Sequence, residues 1–231
     1  MPRLLVHVEG QTEETFVNEV LRNHLAGIGY ESVSARILGN ARLRRRRGGI
    51  RPWPSARRDI VNHLRQDPGC TVTTMVDFYA LPRQGESAWP GRADAAGFPG
   101  SMQKASHVQE ALLEDITGEM GPNFNIERFI PFVIMHEFEG ILFSDCSAFS
   151  RAIGRAELAS VFQNIRDGFG TPEDINDSPE TCPSNRVIQL VAGYEKPLLG
   201  TLAVLEIGLH KIRQECPLFN DWVSRLESLA A

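Results

Sequence analysis

Leu4-Leu5-Val6-His7-Val8-Glu9-Gly10-Gln11-Thr12-Glu13 decides the architecture of this chain. Its first five residues show almost no polar alternation, which predicts a strand covered on both faces, as in a parallel sheet. Gly10 follows, and Thr12 is expected to cap a helix whose first turn carries Glu13 and Glu14. Phe16, Val17, Val20, Leu21 and Leu25 give that helix its buried stripe, and Gly27 and Gly29 end it. Strand, turn and amphipathic helix together make the opening unit of an α/β sheet.

Further along, the same alternation continues. A second strand is expected near residues 32–38. Pro54 and Ser55 open a helix with Ile60, Val61 and Leu64 on one face, closed by Asp67-Pro68-Gly69. Residues 71–76 are rich in β-branched side chains and predict another strand. Residues 78–100 hold Pro82, Gly85, Pro90, Gly91, Gly97, Pro99 and Gly100, a long loop of the kind that is usually functional or disordered. A helix over 103–116 precedes a strand over 126–135, where Pro131 indicates an edge position or a bulge. Phe138, Ile141 and Leu142 begin a helix after Glu137. The rest reads as helical, with Val187, Leu190 and Val191 in one helix, residues 202–212 in another, and Trp222, Leu226 and Leu229 in the last. Phe219 and Trp222 read as core, and residues 168–184 as a Pro/Asp/Ser loop. The expected fold is one Rossmann-like α/β domain over 1–231. Its mainly parallel sheet, with helices on both faces, falls in 1–145 and a mainly helical part of the same domain in 146–231.

With 231 residues, 42% of them hydrophobic, the chain can bury a full core. A net charge of −5 argues against a protein that coats nucleic acid over its whole surface, but it allows a local basic patch. Cys70, Cys146, Cys182 and Cys216 show no close pairing, so neither a disulfide framework nor a zinc knuckle is implied. The N-terminus turns acidic too soon for a secretory signal, and no apolar stretch approaches membrane-spanning length. The expectation is a cytoplasmic protein with no membrane partner.

Three apolar runs end on carboxylates: residues 4–8 at Glu9, 71–76 at Asp77, and 129–135 at His136-Glu137. As neighbours in a parallel sheet their carboxyl ends share one edge, where open α/β sheets place their ligands. Carboxylates held close together repel, so they share protons or a cation. Hard oxygen donors with room for water suit Mg²⁺ or Mn²⁺, ions that polarise phosphates and activate water. Each acid also has a plainer reading. Glu9 can accept backbone N–H bonds, Asp77 can shape a turn, Glu13 can complement the helix dipole, and one of Glu137 and Glu139 can cap the next helix, their side chains diverging. His136 reads as packed or hydrogen-bonded. Arg42, Arg44, Arg45, Arg46, Arg47 and Arg51, flanked by glycine and followed by Trp53, read either as a solvated loop or as a phosphate tether with a stacking ring.

Val8-Glu9-Gly10-Gln11-Thr12-Glu13, Val76-Asp77-Phe78-Tyr79-Ala80-Leu81-Pro82, His136-Glu137-Phe138-Glu139 and Pro183-Ser184-Asn185-Arg186 resemble signatures of the domain of unknown function 4276 family. Tyr194-Glu195-Lys196-Pro197 and Cys216-Pro217-Leu218-Phe219-Asn220-Asp221-Trp222 resemble its C-terminal pattern, so the likeness covers nearly the whole chain. That family is in turn similar to the Toprim domains of topoisomerases, primases and the overcoming-lysogenization-defect nucleases. The resemblance implies a Toprim-type sheet with Mg²⁺ or Mn²⁺ held between acids. Glu9 matches the first carboxylate, Glu13 a second acid one helical turn on, and Asp77 the first acid of Asp-x-Asp. Tyr79 replaces the second acid of that motif, and Glu137 or Glu139 would supply the missing ligand. Lys196 matches a late lysine that neutralises transition-state charge, and Arg186 would assist it, unless both are ion-pair partners of the acidic edge.

The resulting expectation is a metal-dependent nuclease acting on DNA or RNA, possessing Glu9, Glu13, Asp77 and Lys196 as catalytic residues. Glu9, Glu13, Asp77, Glu137 and Glu139 would bind metal, and Arg44, Arg45, Arg46, Arg47, Arg51 and Arg186 would contact nucleic acid. The alternative is a non-catalytic module that binds nucleic acid or a partner ATPase. A weaker third reading is a phosphate-ester hydrolase acting on a nucleotide.

Overall fold

Strand β1 (Arg3–Val8) runs between β2 (Ser32–Ile37) and β3 (Cys70–Asp77), parallel to both. The computed structural model describes residues 1–38, 49–176 and 178–230. Register runs from Arg3↔Ser32 to Val8↔Ile37 on one side and from Arg3↔Cys70 to Val8↔Met75 on the other. On its outer side β3 carries β4 (Phe129–Ile130) and then β5 (Val133–Ile134), giving the order β2-β1-β3-β4 with β5 paired to the end of β3. Every pairing is parallel.

The single strand expected over 126–135 is broken. Residues Ile126–Arg128 form a 3-10 turn, and two short strands flank Pro131 and Phe132. Proline has no N–H to give the ladder. The Thr74 hydroxyl fills in, accepting from the Phe132 N–H and donating to the Phe132 carbonyl, both at 2.9 Å. The edge position expected from Pro131 is the one observed.

Alternation along β1 sends Leu4, Val6 and Val8 to one face. There they meet α1 (Gln11–Phe16), a π-helical turn (Val17–Leu21) and α2 (Arg22–Gly27). The same core takes in α5 (Phe138–Ile141), α6 (Cys146–Ala152), α7 (Ala159–Asp167), α8 (Pro183–Leu190), α9 (Thr201–Ile207), α10 (Leu209–Glu215) and α11 (Pro217–Ser228). Leu5 turns to the opposite face, covered by α3 (Trp53–Gln66) and α4 (Ser101–Met120). His7 points the same way, its Nε2 3.1 Å from Nδ1 of His63 on α3. The fold is an α/β sheet of Rossmann type with helices on both faces and a helical C-terminal part.

The long 78–100 segment is packed. Trp89 is buried and donates from Nε1 to the Arg51 carbonyl at 2.8 Å, while Arg92 donates from Nε to the Phe78 carbonyl at 2.8 Å. Gly91, at φ +71°, presses so close to α4 that a Cβ there would lie 3.1 Å from Val108 Cα. Among the described residues, no helix is long and apolar enough to cross a membrane.

Candidate functional site

The sheet order sets the site. From β1 the chain passes to β2 on one flank and then crosses to β3 on the other, so the carboxyl ends of β1 and β3 border a topological switch point. Glu9 follows β1 directly, and Asp77 is the last residue of β3. The Asp77 N–H donates to Glu9 Oε2 at 3.3 Å, joining the two strand ends.

Each of four acids is held by one oxygen. Besides Glu9, the Gly10 N–H donates to Glu13 Oε2 at 2.9 Å, the Phe138 N–H at the start of α5 donates to Asp77 Oδ1 at 2.9 Å, and the Ser184 N–H in α8 donates to Glu137 Oε2 at 2.9 Å. The second oxygen of each carboxylate lies outside that bond. Thr12 was the expected helix cap, but α1 starts at Gln11 with Gly10 before it, and the Glu13 side chain satisfies the Gly10 N–H. Thr12 lies inside the first turn and is buried.

Glu9, Gly10, Glu13, Gly49, Asp77, Glu139 and Lys196 line a cleft of about 200 Å³, together with Gln11, Thr12 and Pro197. Lys196 Nζ stands 3.3 Å from Glu139 Oε2 and 3.9 Å from Glu137 Oε1. Glu137 and Glu139 were expected to diverge. Instead both face Lys196, because Glu137 is extended at φ −144° whereas Glu139 belongs to the four-residue helix α5, and the change of conformation brings the side chains to one side. The side chain of Glu137 caps nothing in α5; it takes the α8 N–H instead.

Carboxyl groups dominate the cleft. Among the described residues, no Lys, Arg or His forms an ion pair with Glu9, Glu13 or Asp77. Burial, then the charge of Glu13, pushes the Glu9 carboxyl up to about 7. Burial also pushes Glu13 up to about 7, with Glu139 adding repulsion. Asp77 is raised well above its ordinary value by burial and by the four glutamates, Glu9 first. Burial raises Glu139 against the pull of Lys196. Although burial alone would lower Lys196, the facing Glu139, Glu137 and Asp77 keep its ammonium above the ordinary value.

These oxygens suit a hard divalent cation, since each anchored carboxylate keeps an oxygen to offer and the lining residues bring no sulfur or imidazole for a closed zinc site. Among the described residues, no three His, Cys, Asp or Glu side chains stand as an assembled metal-holding group, so an ion would draw these side chains inward. Glu9, Glu13, Asp77 and Lys196 would hold the ion or offset charge beside it.

The remaining candidates lie elsewhere. Arg186 donates from Nε to the Thr181 carbonyl at 2.7 Å and packs 5.4 Å from the Phe169 ring, bracing the loop before α8. Arg51 faces Ser55 and Asp59 on α3. Arg44, Arg45, Arg46 and Arg47 lie outside the described residues. Tyr79 is in the 3-10 turn Phe78–Ala80 and does not line the cleft, its N–H donating to the His136 carbonyl at 2.9 Å. His136 is buried edge-on to Phe78. Two contributors went unread in the sequence, namely the Ser184 N–H and the close approach of Gly10. Ser184 belongs to a recognised motif, but a backbone donor leaves no side-chain signal.

A family model described as Domain of unknown function (DUF4276) matches residues 8–227. No curated protein matches the chain, and no solved structure does.

Proposed function

The chain belongs to the family described as Domain of unknown function (DUF4276), and from that premise and the acidic cleft we propose a Mg²⁺- or Mn²⁺-dependent, Toprim-like phosphodiesterase that cleaves nucleic acid. One observation carries the reading. Glu9, Glu13 and Asp77 line one cleft at the switch point and form no ion pair with a described Lys, Arg or His, an arrangement that calls for protons or a cation. A bound ion would polarise a phosphoryl oxygen and lower the pKa of an attacking water.

The protein's own groups do the rest. Backbone N–H groups anchor one oxygen each of Glu9, Glu13 and Asp77 and leave the other to turn toward an ion. The Lys196 ammonium, steered by Glu139 and Glu137, lies on the cleft wall where charge on a phosphate would build. The arginine-dense run over 42–51 supports a polyanionic partner by composition.

Labelled single- and double-stranded DNA and RNA, incubated with the protein and Mn²⁺, provide the test. Cleavage is expected to stop with EDTA and to fall more than about 100-fold in Glu9→Gln, beyond the loss typical of a supporting group around a metal. Equal cleavage by Glu9→Gln would reject the assignment. Tyr79, at the position of the second acid, favours a non-catalytic module that binds nucleic acid or a partner ATPase. In that reading calorimetry shows no saturable Mn²⁺ binding, and nucleic-acid binding survives EDTA.

A further inference from the structure

Lys196 divides the acids of the cleft into two groups. Glu139 and Glu137, with side chains only 4% and 9% exposed, both face its ammonium, at 3.3 and 3.9 Å. Buried carboxylates at such distances from an ammonium are paired with it. Glu9, Glu13 and Asp77 line the same cleft without an ion pair to any described Lys, Arg or His. Lys196, its side chain 41% exposed, is placed by the two glutamates and by its backbone. It starts the π-helical turn Lys196–Gly200, and Gly200 abuts α1 so closely that a Cβ there would lie 3.3 Å from Thr12 Cγ2. Thr12 precedes Glu13, so the ammonium and the Glu13 carboxylate ride on elements packed directly together.

We propose that the Lys196 ammonium stands where a second cation would otherwise bind, so that the cleft takes one divalent ion, at Glu9, Glu13 and Asp77. This rests on the metal-dependent reading above. Paired metal ions in phosphate-cleaving sites lie about 3.5–4 Å apart and need separate oxygen donors. Here the donors for a second ion are the carboxylates already facing Lys196, and a positive charge beside them repels an incoming cation. Tyr79, placed where the motif would put another acid, adds no carboxylate in their stead.

The experiment counts ions. Mn²⁺ binding to the full chain is measured at pH 8 by electron paramagnetic resonance and calorimetry, for the unmodified protein and for Lys196→Met, Lys196→Gln and Lys196→Arg. One ion is expected for the unmodified protein and for Lys196→Arg, which keeps the charge. Two are expected for the Met and Gln variants, accompanied by the spectrum of a spin-coupled Mn²⁺ pair. Circular dichroism shows which variants fold, and the count on the unmodified protein stands without them. Two ions in the unmodified protein overturn the inference, as does a single ion in a folded Met or Gln variant, and both results leave the metal-dependent reading intact. No saturable ion in the unmodified protein overturns that reading together with the inference.

Discussion

Gly10 separates the two jobs of the first strand end, ending β1 and leaving room for Glu13. Its φ of −145° is ordinary extended backbone, so alanine is tolerated there without strain. A Cβ, however, would stand 3.1 Å from Glu13 Oε2, closer than that carboxylate can accept without shifting. Gly10→Ala is therefore expected to displace Glu13 alone. Mn²⁺ affinity should drop about tenfold, in line with losses from supporting groups around metals, while thermal stability stays within about 0.5 kcal/mol. Calorimetric titration and melting curves on one sample decide the matter. Unchanged affinity would remove Glu13 from the ligand set, and a large stability loss would make Glu13 a structural cap.

Helix α11 shows the same device used for structure. Glu173 is buried, and its two oxygens accept the Leu218 and Phe219 N–H groups at 2.9 Å each, filling the unpaired donors at the helix start. Glu173→Ala should cost about 1–3 kcal/mol in urea unfolding, because it strands buried donors, and should leave Mn²⁺ stoichiometry alone. Neither this clamp nor the Ser184 N–H bond is legible in sequence, since each joins residues about 45 apart through a backbone group. β1 and β3 were legible because burial on both faces leaves an unbroken apolar run, and their terminal acids followed. The 126–135 run was half legible. Pro131 announces an edge, but whether the strand bends or breaks depends on Thr74, from another strand. Glu13 in place of Thr12 at the helix start was missed because a reaching glutamate and a dipole-complementing glutamate look alike in sequence. Lys196 came only through the family resemblance, as nothing in its local pattern marks it.

Across the whole molecule, buried titratable groups oppose one another. Glu9, Glu13 and Glu173 rise from an ordinary 4.5 to about 7, and Asp77 and Glu139 rise too, burial being the first cause in each. A folded-state pKa above the unfolded one gives stability that is intact below about 4.5 and is lost as pH climbs through 7. His7 runs the other way. Burial first, then His63 and Arg36, lower it from 6.5 to about 3, so its contribution is intact above 6.5 and is lost as pH falls. With five raised carboxyls set against one imidazole, ion-free protein should be most stable near about pH 4.5, where those carboxyls still hold their protons, and should melt progressively lower toward pH 8. A divalent ion must displace the protons from Glu9, Glu13 and Asp77, so it binds more tightly as pH rises. At 100 times its dissociation constant, Mn²⁺ should add about 2.7 kcal/mol, or roughly 5–10 °C in a chain of this size. With Mn²⁺ concentration fixed, the rise in melting temperature should be large at pH 8, small at pH 5, and absent at both in Glu9→Gln. An equal rise at both pH values would place the ion away from these carboxylates, because only proton competition at the cleft ties its binding to this range.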